Sequence, residues 1–298
     1  MHEAFEHLIS VLLVTIMFGY SAQTISRVNN LSAGQANEMD MWRGQLASLV
    51  LEEYLSSPSG ETDLDKLASL SRTYALSGGP YESNYTYLVA TKLGLPDINF
   101  NLRIKTALQV TLRRVGEQIQ VNVTQSSSRT PVQALVKLYV FNGIAVVGTY
   151  LGETAISGYL NFDVTIPGGS VVVAFASSGS SVGYAVMDER GAFLSPSRDK
   201  GYVKASKLEN NTSSNKIILA LEDWTVVPQS NLIEVGGFSL PILILWKSGT
   251  TYSFIEYPHL PDDYGAPVPT VLRREYKIVT IICLGNNTFI WDARVWRG

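Results

Sequence analysis

Three regimes of hydrophobic patterning follow one another along the chain. Residues 8–22 (LISVLLVTIMFGYSA) carry no charge and are apolar on every side of a helix drawn through them, the pattern of a segment surrounded by lipid or by other helices. Beyond them Ile25, Val28, Met39, Trp42, Leu46, Leu49 and Val50 recur near helical spacing among polar residues, and no proline interrupts before Pro58. Residues 1–57 therefore predict one long stem helix, roughly 80 Å at about 1.5 Å per residue, with its membrane part at about 4–24. The charge-free run is shorter than the ~18 residues of a lone spanning helix, so a cleaved secretory segment ending near Ala22 and a buried core helix are competing readings. The flank carries Glu3 and Glu6 where a secretory signal starts with Lys or Arg, and a core would leave Glu6 and His7 without partners. A membrane-embedded stem is the reading these residues favour.

The second regime, 58–96, predicts a small helical collar. Asp63 and Asp65 stand in the first turn of one segment, Gly78, Gly79 and Pro80 end it, and a further patch at 82–93 closes on Gly94 and Pro96.

The third regime begins at Asp97, where the period falls from about 3.6 to 2. Leu102, Ile104, Thr106, Leu108, Val110 and Leu112 alternate with mostly polar residues, so 101–113 predicts one long amphipathic strand, and Ile119, Val121 and Val123 answer it on the return. Strands follow at 133–141, 145–151, 158–166, 170–176 and 182–187, separated by turn residues such as Asn142-Gly143 and Pro167-Gly-Gly169. Short strands at this spacing predict an immunoglobulin-like β-sandwich over 97–190. Strands resume at 202–208, 216–221, 240–246, 252–257, 272–284 and 288–296, a second β-rich domain over 191–298 that can also pair into the first. Residues 278–283 are apolar on both faces, which predicts a central strand covered on both sides. The expected fold class is α+β: stem helix, collar, immunoglobulin-like sandwich, second β unit.

Composition narrows the function classes. The net charge of −3 and the 16% content of charged residues give no electrostatic footprint for nucleic acid. Cys283 is the one cysteine, so neither an intrachain disulfide nor a cysteine-clustered metal site is available. Asn-x-Ser/Thr sequons begin at Asn30, Asn84, Asn122, Asn210, Asn211 and Asn286; they read either as Asn and Thr serving turns and strand edges or as exposed glycosylation sites of an extracytoplasmic body. Arg27 and Arg43 argue the other way, since they follow the apolar run and would hold the body in the cytoplasm. The composition of the body is given the greater weight.

Candidate chemistry is sparse. Gly179, Ser181 and Gly183 match G-x-S-x-G, but the hydrolase elbow needs strand, turn and helix, and the residues after Ser181 read as strand. His259 and Asp223 are the available base and orienting acid. Glu256, His259, Asp262 and Asp263 form an acidic patch with too few ligands at defined spacing for Ca²⁺. Trp224, Trp246, Trp291 and Trp296 are candidates to stack on sugars, although all lie in strand-like runs where core positions are commoner. No cofactor or metal is expected. Glu6 has the sharpest functional reading: a carboxylate heading an apolar helix is costly in lipid unless a cationic group, such as a neighbour's terminal amine, meets it. Glu3 and Glu6 resting among lipid headgroups is the alternative.

His2-Glu-Ala-Phe-Glu6 followed by residues 8–22 resembles the N-terminus of type IV pilin-like proteins, particularly archaeal pilins and archaellins. The resemblance implies that Glu3, Glu6, Leu8, Leu12, Leu13, Ile16 and Phe18 serve assembly or membrane insertion. It also implies an outward-facing β head, with membrane lipid and other copies or pilin-like subunits as partners. Two features depart from the family: no basic leader ending in Gly or Ala precedes His2, and the head exceeds that of a typical major pilin. The expected function is that of a non-enzymatic, membrane-anchored cell-surface subunit in a minor or accessory role. The alternatives are a solitary tethered adhesion or glycan-binding module and, more remotely, a serine hydrolase at Ser181.

Overall fold

The computed structural model describes residues 98–197, 215–227, 237–257 and 275–297, with short pieces at 202–204, 207–209, 232–234, 260, 264–265 and 268 and isolated positions between 17 and 46. The first run of strands is β1 (Ile98–Thr106), β2 (Leu108–Val115), β3 (Gln118–Gln125), β4 (Leu135–Phe141), β5 (Val146–Glu153), β6 (Tyr159–Asp163), β7 (Val171–Ser178) and β8 (Ser181–Asp188). The second run is β9 (Tyr202–Lys204), β10 (Lys207–Glu209), β11 (Lys216–Leu219), β12 (Trp224–Val227), β13 (Leu232–Glu234), β14 (Ile242–Ser248), β15 (Thr251–Tyr257), β16 (Tyr264–Gly265), β17 (Glu275–Leu284) and β18 (Asn287–Arg297).

The expected α+β class is corrected to a mostly β one. Among the described residues every delimited element is a strand; the isolated positions described between 17 and 46 are helical, but no long N-terminal helix is delimited and no helix is long and apolar enough to cross a membrane. Met39, Trp42 and Leu46, which recur near helical spacing, are helical and exposed. What the body must bury recurs with period 2 or on both faces of a strand, and sheets are the structures that bury such patterns. Residues 58–96 lie outside the described residues.

The strand expected over 101–113 bends at Ala107 into two, because its halves belong to different sheets. β1 pairs antiparallel with β18 along its whole length, whereas β2 pairs with β3, which pairs with β6. The alternation survives the bend: Leu102, Ile104, Leu108, Val110 and Leu112 are buried while Lys105, Gln109, Thr111 and Arg113 are exposed. β18 meets β8 through one parallel pair, Thr288 with Ser181, and there joins β16-β1-β18 to β8-β7-β4-β5.

The body is three layers deep, not the two-sheet sandwich expected. β4 and β7 are apolar on both faces, so both faces need cover. One face presents Val136, Leu138, Val140, Val172, Ala174 and Ala176 to β2-β3-β6, forming an aliphatic cluster. The other presents Tyr139, Phe141, Val173 and Phe175 to Ile217, Leu219, Leu243, Leu245 and Phe254 of the sheet β12-β11-β14-β15. Aromatic rings there meet edge to face, with centroids 6.2 Å apart for Tyr139 and Phe175 and 5.8 Å for Phe141 and Tyr252. The outer face of that four-stranded sheet carries a further buried cluster of Ile218, Ile242, Ile244, Trp246, Ile255 and Tyr257.

Residues 278–283 are not the doubly covered strand expected. Among the described residues β17 pairs with β18 alone, and Val279 and Ile281 are 50% and 69% exposed. The 202–208 strand is in fact a hairpin, β9 with β10.

Candidate functional site

The bend at Ala107 opens a cleft of about 500 Å³ beside it. Its walls come from four places in the chain: the bend (Lys105, Thr106, Gln109), the loop after β3 (Ser126, Arg129), β8 (Tyr184) and β15 with its continuation (Glu256, Leu260). The Ser126 N–H donates to the Ala107 carbonyl at 2.9 Å, which ties the loop to the bend. The volume lies within the roughly 300–1,000 Å³ of small-molecule sites.

The rim is cationic, and the floor holds a buried, hydrogen-bonded carboxyl group. Glu256 is 6% exposed and accepts a hydrogen bond from the Tyr184 hydroxyl. The Tyr184 ring itself packs against Phe175 and Phe254 in the aromatic core, so the hydroxyl is delivered from a fixed platform. Lys105 and Arg129 are exposed, and among the described residues neither makes an ion pair or a side-chain hydrogen bond.

Arg129 has φ of 60°, the left-handed region, and no other described non-glycine residue does. That conformation costs a side-chain-bearing residue about 1–2 kcal/mol. The loop holds it there through Gln125: its carbonyl accepts from the Arg129 N–H at 2.8 Å, and its Oε1 accepts from Ser128 Oγ at 2.9 Å and Thr130 Oγ1 at 3.3 Å. A strained residue kept at the rim of a cleft is a pointer to function.

The G-x-S-x-G glycines have structural roles. Gly179 has φ of 58° and turns the β7–β8 hairpin, while a Cβ on Gly183 would collide with the Leu108 carbonyl where β2 crosses β8. The context is strand, turn, strand. Ser181 Oγ lies 3.2 Å from Thr288 Oγ1, beside a hollow of about 320 Å³ walled by Val279, Ile281 and Ile290. His259 lies outside the described residues, and the Asp223 carboxylate accepts from the Trp224 N–H.

Glu3, Glu6, Leu8, Leu12, Leu13, Ile16 and Phe18 also lie outside the described residues, as do Asn30, Asn84, Asn210 and Asn211. Asn286 is exposed in the Gly285-Asn286 turn between β17 and β18, where Gly285 supplies φ of 59°. Asn122 sits within β3, half-buried, its Oδ1 buried without a hydrogen bond. Trp246, Trp291 and Trp296 are buried and offer no face to a sugar, and Trp224 is half-buried against the aromatic core. Asp262 and Asp263 are outside the described residues, among which no group of metal-ligating side chains gathers. Lys216 is fully buried at the start of β11, and burial lowers its pKa.

Fold and cleft together define a layered β protein with an open cleft, cationic at its rim, at a strand bend. No family model, curated protein or solved structure matches the chain.

Proposed function

We propose that the chain is a non-enzymatic, membrane-anchored protein of the cell surface, a pilin-like minor or accessory subunit that associates with its own kind through the N-terminal apolar segment. One observation carries the reading: the uncharged run 8–22, headed by Glu3 and Glu6, stands in one chain with a β body that has three buried apolar clusters of its own. A body with its own cores needs no apolar tail for folding, which leaves the tail for lipid or for neighbouring copies. The exposed sequon at Asn286 supports an extracytoplasmic body.

Mild detergent extraction followed by sedimentation tests it. The intact chain should pellet as polymers or large particles, Glu6→Ala and Glu6→Lys should lose them, and a chain lacking residues 1–24 should stay in the aqueous phase. A monomeric intact chain, or one found wholly in the aqueous phase, overturns the proposal.

The cleft favours a second reading, a surface-tethered glycan-binding module. Its mixture of donors, acceptors and buried apolar walls suits a small polar ligand, and the tail then serves only as tether.

A further inference from the structure

We propose that the cleft at the β1–β2 bend binds a saccharide carrying one carboxylate, with a uronic acid as the simplest case. The inference rests on the glycan-binding reading and holds whether or not the chain assembles.

Three observations converge. Arg129 and Lys105 offer two cations at the rim with no anion engaging them among the described residues. A guanidinium presents a planar fork that pairs with a carboxylate through two parallel hydrogen bonds. Beside the two cations, the exposed Gln109 amide and the Ser126 hydroxyl can both donate and accept, which matches vicinal hydroxyls that themselves do both, and the Thr106 hydroxyl, which donates to the Leu108 carbonyl, can accept. Leu260 and Leu108 give an apolar wall for the C–H face of a ring.

The rim sets the class. One carboxylate meets the two exposed cations Arg129 and Lys105, and neutral ring hydroxyls meet the Ser126 hydroxyl and the Gln109 amide. The volume accommodates a ring or two and no extended polymer.

Arg129 makes the test clean, because its role in binding and its role in folding have opposite signs. Glycine adopts the left-handed region without penalty, so Arg129→Gly relieves backbone strain as it removes the guanidinium. The intact chain in detergent is titrated with glucuronate, glucose, acetate and inorganic phosphate, followed by calorimetry and ligand-observed NMR. Glucuronate should bind saturably and at least about tenfold more tightly than the other three. Arg129→Gly should weaken glucuronate by about tenfold or more while its unfolding temperature holds or rises, and Lys105→Gln should weaken it by a smaller factor.

Unchanged glucuronate affinity in Arg129→Gly overturns the inference, as does acetate or phosphate binding as tightly as glucuronate. Glucose binding equal to that of glucuronate overturns the carboxylate requirement and leaves the glycan-binding reading standing. Absence of saturable binding by either saccharide overturns both. Neither result bears on sedimentation, so the assembly reading fails or survives separately.

Discussion

β7 and β17 both run apolar through successive positions, VVVAFA in one and IVTIICL in the other, so each offers apolar groups to both of its faces. Their surroundings are opposite. β7 lies between β4 and β8, with an aliphatic layer on one side and an aromatic layer on the other, and Val171 through Ala176 are all buried. β17 lies beyond β18 at the margin of its sheet, and Lys277, Val279, Ile281 and Cys283 face outward. What distinguishes them is the partners they acquire, and those come from distant parts of the chain. Apolar content on two faces states what a strand can bury; pairing and layering decide what it does bury.

The largest effect that would break this contrast belongs to β7. Phe175→Ala removes a ring that meets Tyr139 and Tyr184 in a layer with no access to solvent. It should cost about 3–5 kcal/mol, read as a shift of the urea midpoint. A loss below about 1 kcal/mol would mean that the aromatic layer is not packed as described. Gly183→Ala, on the neighbouring β8, comes next. Its new methyl meets the backbone of Leu108, which cannot turn aside as a side chain can, so β2 must shift against β8. We expect a loss of about 1–3 kcal/mol by the same measurement, with Gly179→Ala as a control where open space but a positive φ makes the cost purely conformational.

Much of the sheet structure was legible from pattern, and the reasons are local. Alternation from Leu102 to Leu112 marked the buried positions correctly, since period 2 follows from strand geometry whichever sheet the strand joins. The bend at Ala107 was not legible, because it arises from β18 claiming one half and β3 the other. Leu232 to Glu234 escaped notice as a strand because three residues are too few for alternation to register, and Lys216 gave no sign that its side chain would be buried. The cleft was invisible for a different reason. Lys105, Arg129, Tyr184 and Glu256 sit on separate strands and loops, and only the crossing of layers gathers them. The one available hint, a serine-rich stretch before Arg129, marks a turn but not the left-handed arginine within it.

A smaller effect sharpens the aromatic side of the comparison through pH. Tyr252 packs on Phe141 below the β7 layer, and burial, with the Glu189 carboxylate nearby, pushes its pKa from 10.0 to about 12. Tyr139 is pushed up as well, by burial and then by Asp223 and Glu222. The folded state thus holds phenolic protons that the unfolded chain releases near pH 10, so this stabilisation is complete below pH 10 and is lost as pH rises towards 12. The urea midpoint should fall across that window, and Tyr252→Phe should flatten the fall while lowering the neutral-pH stability by about 1 kcal/mol, because the hydroxyl donates to the Gly169 carbonyl. A midpoint independent of pH from 10 to 12 would show both hydroxyls to be as solvated folded as unfolded.

The smallest effect decides whether β17 is the margin it appears opposite β7. Ile281→Ser removes apolar surface that water already reaches, so stability should change by no more than about 0.5 kcal/mol. If β17 were covered as its sequence suggests, the same change would leave a hydroxyl in an apolar layer and cost several times as much. The second readout comes from the same face. Cys283 is free and exposed two residues along the strand, so a water-soluble maleimide should label it in the native protein nearly as fast as in urea. A covered strand would protect that thiol and make Ile281→Ser costly, and the two failures would have to occur together. Protection of Cys283 with no cost at Ile281 would instead place the cover over one end of the strand, near the Gly285-Asn286 turn, and leave the contrast with β7 intact at the middle of the sheet.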